Sequence, residues 1–182
     1  MLFRSRTLLA TRTLPDRGTF AILADPELAL FGVMKSSSGD PPDYQADIGD
    51  WLWVEMFSAA PGVAAKFYGD LFGYRVSEPE VAEEVVEYVL SAQGYARAGI
   101  GKLPENSDSH PTWLGFVRVA DVAQTVATAV SLGGTALYAP NPDTLDGNLA
   151  IIADPFGAIF AVVRWTYAVD DDRPSEAPEA AR

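Results

Sequence analysis

Few side chains in this sequence have the chemistry of a reactive group, and one carboxylate, Glu55, stands apart from the others. It interrupts the apolar run 51–57, which alternates as a β-strand does. A carboxylate buried beside Trp53 would hold its proton tightly enough to act as a general base. It would equally anchor an amine or a hydroxyl of a bound molecule, or be paired inside the core with Arg97 or with the backbone. The sequence leaves these roles of Glu55 open.

The remaining candidates for chemistry are weaker. The single histidine, His110, lies in the polar loop 103–111, and no second donor follows it at metal-ligand spacing. We interpret it as a solvated loop residue. A serine and an aspartate lie within three residues of it, but such close spacing in one loop does not predict a catalytic triad. The chain has no cysteine, which excludes disulfides and thiolate chemistry.

Aromatic side chains are numerous enough to line a pocket for a flat ligand. Small-molecule cavities are mostly apolar and contain a few polar groups, which fits aromatic rings around Glu55. Taken one at a time, the same rings are more typical of an ordinary core. The candidate ligand-binding residues are Trp53, Phe57, Tyr88, Tyr95, Trp113 and Phe116.

Bulk composition narrows the class of protein. The 182 residues carry a formal net charge of −12, and 48% of them are hydrophobic. An acidic protein is repelled by phosphate backbones and by anionic lipid, so we expect neither nucleic acid nor a membrane as a partner. No apolar run approaches the ~18 residues of a membrane-spanning helix. These features predict a cytoplasmic globular protein.

Two segments of the chain are copies of each other. Residues 18–36 and 147–165 align without gaps at a constant offset of 129, with nine identities in nineteen positions. Each copy carries an Asp-Pro turn between two apolar runs, which predicts a β-hairpin. We interpret 18–36 as the hairpin remnant of a preceding module, 1–17 as an irregular N-terminus and 37–50 as a polar linker rich in Gly and Pro.

Residues 51–165 predict two βαβββ halves. In the first half, strand 51–57 precedes a helix that begins at Pro61 and ends at Gly73, and strands 74–77, 84–92 and 96–102 follow. In the second, strand 113–119 precedes helix 122–132, for which Asp121 is the N-cap, and strands 135–138, 149–153 and 158–165 follow. The tail 166–182 is acidic, and we predict that it is disordered.

This order of elements resembles the vicinal oxygen chelate superfamily, which contains glyoxalase I, bleomycin-resistance proteins and extradiol dioxygenases. The resemblance covers 51–165. It rests on Trp53-Val54-Glu55, on Phe67-Tyr68-Gly69-Asp70-Leu71-Phe72-Gly73, on Val119-Ala120-Asp121-Val122 and on the turn Asp154-Pro155-Phe156-Gly157. The first hairpin and its linker are similar to the junction of tandem two-domain members, so the chain resembles a truncated tandem repeat that keeps the C-terminal domain.

The resemblance implies a fold and a test for a metal. The implied fold class is α+β, with paired βαβββ modules forming an incomplete eight-stranded barrel and an extra N-terminal β-hairpin. Metal-dependent members ligate a divalent ion from the first strand and a late strand of each half. Glu55 is the only candidate donor on the first strand of the first half. The matching positions on the first strand of the second half hold Leu114, Gly115 and Phe116, and those on the last strand, 159–162, hold Ile, Phe, Ala and Val. We therefore expect no metal and no other cofactor.

Three hypotheses about function follow. The leading one is a metal-free protein similar to glyoxalase and bleomycin-resistance proteins, which binds a small organic molecule in an apolar cavity. The second is a lyase, isomerase or dioxygenase of the same superfamily that uses Glu55 with a weakly held divalent metal. The third is an interaction module that dimerises through the N-terminal hairpin, because a lone hairpin must bury its apolar face on its own barrel or on a neighbour's. A homodimer is expected in any of the three cases.

Overall fold

The computed structural model of the chain describes residues 5–40, 42–79, 86–104 and 109–167. These residues fall into two compact units. The first comprises Met1–Asp40 with Val54–Trp113, and the second comprises Pro41–Trp53 with Leu114–Arg182. The segment that we predicted as a linker is thus divided between the two units near residue 40.

The first unit begins with a three-stranded antiparallel sheet rather than a two-stranded hairpin. Strands β1 (Arg6–Leu14), β2 (Gly18–Ala24) and β3 (Leu30–Ser36) are hydrogen-bonded in that order. The prediction of an irregular N-terminus over 1–17 is therefore wrong for β1. Its side chains are almost all exposed, so the strand carries no apolar alternation and forms by backbone pairing with β2.

The first unit also contains the first βαβββ module. Its elements are β4 (Trp51–Ser58), α1 (Pro61–Phe72), β5 (Arg75–Ser77), β6 (Val86–Ala92) and β7 (Tyr95–Lys102), and its sheet order is β5-β6-β7-β4. Strand β4 begins in the second unit and continues into the first. The first two residues of the predicted strand 84–92 lie outside the described residues. Strands β6 and β7 form an antiparallel hairpin.

Helix α1 has the predicted ends but a different buried face. Pro61 occupies its first turn, and Gly73 ends it in the left-handed conformation with a φ of 71°. The core side of the helix is formed mainly by Ala64, Ala65 and Tyr68 together with Phe67. The sequence pattern predicts an inward stripe of Val63, Phe67 and Leu71, together with Ala64 and Phe72. Phe67 and Ala64 are buried as predicted, whereas Val63, Leu71 and Phe72 are exposed. Ala64 and Ala65 let α1 approach the sheet closely, while the aromatic rings of Phe67 and Tyr68 fill the core on the same side of the helix.

The second unit holds the second βαβββ module. Its elements are β8 (Thr112–Arg118), α2 (Val122–Ser131), β9 (Thr135–Tyr138), a short 3-10 turn (Leu145–Gly147), β10 (Leu149–Ala153) and β11 (Ile159–Val163), with the sheet order β8-β11-β10-β9. The predicted N-cap is confirmed, because Asp121 Oδ1 accepts the backbone N–H of Gln124 at 2.8 Å. A core of Val122, Ala150, Ile152 and Val162 joins α2 to its sheet.

The α+β class and the two βαβββ modules agree with the fold expected from the sequence. Strands β5 and β9 each pair with only one neighbour among the described residues, so the eight module strands do not close into a complete barrel. No helix in the described ranges is long and apolar enough to cross a membrane. Most of the predicted acidic tail, from residue 168 onward, lies outside the described residues.

Candidate functional site

Glu55 lies at the centre of β4 and is almost completely enclosed, with 4% of its surface exposed. Strand alternation places it on the face of β4 opposite to Met56, which belongs to the core beneath α1. Phe57 shares the face of Glu55. The carboxylate is therefore held on the side of the strand away from the helix, which is the side on which we predicted a binding cavity.

The strand that pairs with β4 places glycines next to Glu55 and Phe57. Strands β4 and β7 run parallel, with Glu55 opposite Gly99 and Phe57 opposite Gly101. The residues that alternate with these glycines, Ala98 and Ile100, belong to the core beneath α1. Glycine inside a strand weakens the sheet and commonly marks a place where a ligand or another chain segment comes close. The two glycines thus add no side chain beside a buried carboxylate and an aromatic ring.

The structure does not bring all six predicted aromatic residues together. Phe57 lies on the Glu55 face, and Tyr95 is on β7 with the guanidinium of Arg97 5.5 Å from its ring centroid. Tyr88 and Trp113 instead pack against the core beneath α1. The remaining two candidates belong to the second unit: Trp53 is half-buried on β4, and Phe116 is buried on β8, opposite Ala161 of β11.

The donors present do not fit the metal site of the superfamily. In the parts of the chain that the structure describes, no group of three or more His, Cys, Asp or Glu side chains converges on one point. His110 is exposed, as expected for a solvated loop residue. The positions that would have to supply further ligands carry Leu114, Phe116 and Phe160, whose side chains have no donor atom. We therefore derive no chemical step that passes through a metal.

A groove with a volume of about 350 Å³ lies on the other side of the first module, beside α1. Tyr88 contributes to its wall, and its hydroxyl lies close to Gly62. The exposed ion pair Lys66–Asp70, with 2.8 Å between Nζ and Oδ2, lies at its rim. The groove is lined by Gly62, Ala65, Lys66, Gly69, Asp70, Tyr74, Val76 and Tyr88. It does not include Glu55.

A buried hydrogen-bond chain connects the N-terminal sheet to the first module. Trp113 Nε1 donates to the hydroxyl of Tyr68 at 2.9 Å, and this hydroxyl donates to Asp25 Oδ2, also at 2.9 Å. Burial raises the pKa of Tyr68 well above its ordinary value; the negative charge of Asp25 raises it further, while the hydrogen bond from Trp113 opposes the increase. The phenol therefore stays protonated and remains a donor to the carboxylate.

A second contact fastens the same turn to the module. The carboxylate of Glu27 accepts the hydroxyl of Ser58 and, at 3.1 Å, the backbone N–H of Ala59. Phe31 lies edge-on to the ring of Tyr68, with 5.5 Å between centroids. The sequence predicted the turn at 25–27 but not the residues that it contacts, because no local pattern connects it with residues 58–68.

The described residues form two βαβββ modules, and a buried carboxylate, Glu55, lies on the first strand of the first module. The sequence profile of the family described as a glyoxalase-like domain matches residues 53–163. The chain therefore belongs to the glyoxalase-like domain family, within the vicinal oxygen chelate superfamily.

Several proteins are similar to this chain. A Mycobacterium tuberculosis protein provisionally named glyoxylase CFP32 is 28% identical over 149 residues, which cover 82% of this chain and 57% of the relative. The anthracycline biosynthesis protein DnrV of Streptomyces peucetius is 31% identical over 146 residues, which cover 80% of this chain and 52% of the relative. The chain thus spans a little over half the length of these relatives. The crystal structure of methylmalonyl-CoA epimerase from Mycobacterium tuberculosis has 20% sequence identity and a TM-score of 0.47, covering 66% of this chain and 91% of that one.

Proposed function

We propose that this protein binds a small organic molecule in an apolar cavity on the Glu55 face of β4, without the metal of its superfamily. The observation that carries the proposal is Glu55 itself. It is a carboxylate with 4% of its surface exposed, and it lies on the face of the sheet away from the core of the first module. The residues opposite Glu55 and Phe57 on the neighbouring strand are glycines, which carry no side chain.

The residues around Glu55 indicate the chemical class of the bound molecule. Phe57 offers an apolar surface on the same strand face, and the glycine backbone of β7 allows close approach of a flat group. Glu55 supplies a charged acceptor for an amine or a hydroxyl. The ligand class is therefore a flat, largely apolar molecule that carries one hydrogen-bond donor.

The proposal is tested by thermal shift with a panel of aromatic amines, phenols and hydroxyketones, followed by calorimetric titration of each compound that raises the melting temperature. Glu55→Gln keeps the size of the side chain and removes the charge. We expect it to weaken the binding of the hits at least about tenfold, because hydrogen bonds to charged groups contribute roughly 1.5–3 kcal/mol.

Glu87→Gln is the matched control, since Glu87 is exposed on β6, a strand of the same sheet that is separated from β4 by β7. This variant should bind as the wild type does. Unchanged binding by Glu55→Gln would contradict the proposal. So would hits that lose affinity in Gly62→Val, which narrows the groove beside α1, but not in Glu55→Gln.

Enzymatic use of the same carboxylate is a second candidate, favoured by the burial of Glu55. A buried carboxylate is suited to remove a proton from carbon next to a carbonyl and to return it to the same or the opposite face. For hydroxyketone hits, incubation in D2O with proton NMR would reveal this activity as loss of the C–H signal in the presence of the wild type. Exchange that continues at the same rate in Glu55→Gln would exclude this role.

A further inference from the structure

The two Asp-Pro turns of this chain have the same geometry. In the first, Asp25 Oδ1 accepts the backbone N–H groups of Glu27 and Ala29, at 2.9 and 2.8 Å. In the second, Asp154 Oδ1 accepts those of Phe156 and Ala158, at 2.8 and 2.9 Å. The offset is 129 residues at every position.

The strands around the turns repeat at the same offset. Strand β1 pairs with β2 as β9 pairs with β10: Thr7 lies opposite Leu23, and Ala136 lies opposite Ile152. The irregularity that follows in the register, at Leu9 and at Tyr138, recurs as well. The sheets β1–β3 and β9–β11 are therefore two copies of one structure, which allows their surroundings to be compared position by position.

The first turn packs against another part of the first unit. Asp25 and Ala29 are 1% and 2% exposed. The second oxygen of Asp25 accepts the Tyr68 hydroxyl, and Glu27 accepts the hydroxyl of Ser58 and the N–H of Ala59. The receptor is thus the strand–helix unit β4–α1, which offers a phenol hydroxyl to the aspartate and two polar donors to the residue two positions later.

The second turn presents the same surface without such cover among the described residues. Ala158, the counterpart of the buried Ala29, is exposed, and Phe156 is 96% exposed. Ile159, next along the strand, is 55% exposed. A fully exposed phenylalanine at the tip of a rigid turn, beside other exposed apolar side chains, is typical of an interaction surface.

We propose that the turn Asp154–Ala158 is a docking surface for a strand–helix unit of the β4–α1 kind, carried by another protein segment. The partner presents an O–H or N–H donor, such as a tyrosine hydroxyl, to Asp154. The partner differs from the β4–α1 unit of this chain at the position that faces Phe156. Phe156 replaces Glu27, so the partner has an apolar recess where Ser58 and Ala59 offer donors in this chain.

A second copy of this chain does not fit that description. Its own β4–α1 unit is already covered by its first turn, which acts at the high effective concentration of an intramolecular contact. Its polar donors at Ser58 and Ala59 would also face Phe156 and remain unsatisfied, which is unfavourable in a buried contact. A different segment with an apolar recess meets no intramolecular competitor and leaves no buried donor unsatisfied.

The test uses the full chain as both partners. The triple variant Asp25→Ala/Glu27→Ala/Phe31→Ala removes the contacts that fasten the first turn and opens the α1 face, and it is immobilised as the receptor after a check of its folding by circular dichroism. The wild type should bind this receptor, and Asp154→Ala should bind it at least about tenfold more weakly. Phe156→Glu should bind about tenfold more tightly, because it restores the acceptor for Ser58 and Ala59.

Asp143→Ala, a change of an exposed aspartate in a loop of the same module, is the matched control and should bind as the wild type does. If the triple variant does not fold, the receptor is the milder Asp25→Asn, which keeps the size of the side chain. Equal binding by wild type and Asp154→Ala would overturn the proposal, as would weaker binding by Phe156→Glu. Equally tight, Asp154-dependent binding to an immobilised wild-type chain would also overturn it, because a second copy would then be the occupant.

Discussion

Tyr68 is the residue on which the attachment of the N-terminal sheet depends most. Its hydroxyl stands between the Asp25 carboxylate and the indole N–H of Trp113, and all three groups are removed from water to a large extent. A hydrogen bond contributes little net free energy when water replaces a lost partner. It matters far more when its loss leaves buried groups unsatisfied.

Tyr68→Phe removes the hydroxyl and leaves both of its partners buried without it. We expect the free energy of unfolding to fall by roughly 2–4 kcal/mol, measured by urea denaturation. Tyr138→Phe is the control, because the Tyr138 hydroxyl meets only the Thr144 hydroxyl, at 2.7 Å, near the surface. It should cost about 1 kcal/mol or less. A similar loss in both variants would show that the buried chain has no special role.

The raised pKa of Tyr68 predicts how stability depends on alkaline pH. The unfolded chain releases the phenol proton near pH 10, whereas the folded chain retains it. Above that pH the unfolded state binds fewer protons than the folded state, so stability decreases as the pH rises, by up to about 1.4 kcal/mol per unit. Urea denaturation at pH 9 and pH 11 should show a smaller decrease for Tyr68→Phe than for the wild type. An equal decrease would contradict the assignment.

At the scale of elements, the internal repeat also predicts strand β1, which we did not infer from the sequence. The predicted strand 135–138, moved by the offset of 129, falls on residues 6–9, which are part of β1. Apolar alternation could not reveal β1, because its side chains are exposed. The inward face of α1 was predicted only in part: Phe67 is buried as predicted, but Ala65 was missed, because small residues carry little weight in a hydrophobic pattern although they permit close packing.

A substitution at Gly18 tests the pairing of β2 with β3 in the N-terminal sheet. Its φ is 121°, and a Cβ at this position would lie 2.1 Å from the carbonyl oxygen of Lys35 on the paired strand. Gly18→Ala should therefore cost at least about 2 kcal/mol and separate β2 from β3. Gly94→Ala is matched to it, because Gly94 has a φ of 85° and open space around it. It should cost only about 1 kcal/mol of backbone strain. Equal losses of melting temperature would show that Gly18 is not confined.

At the scale of the whole molecule, the order of elements was predictable because each module repeats the same strand and helix signals. The partners of the turn at Asp25 were not, because they depend on contacts between residues far apart in sequence. The same holds for the aromatic candidates: the sequence offered Tyr88 and Trp113 as ligand-binding residues, but only the fold shows that they pack on the side of α1.

The homodimer stays a prediction, and the structure changes the argument for it. The N-terminal sheet buries Ala29 and Phe31 on its own chain, so exchange of this sheet between copies is not required to cover its apolar face. Sedimentation velocity at micromolar concentration should give the mass of two chains if a different surface pairs the copies. A single-chain mass would contradict the prediction.

The most direct test of the proposed function is the metal content of the protein. The protein would be purified without chelator, incubated separately with Mn, Fe, Ni and Zn salts, dialysed, and analysed by inductively coupled plasma mass spectrometry. A cavity with Glu55 as its only donor of the family type should retain no more than about a tenth of a metal ion per chain. Retention of one ion per chain, lost in Glu55→Gln, would contradict the metal-free account and indicate metal-assisted chemistry at this carboxylate.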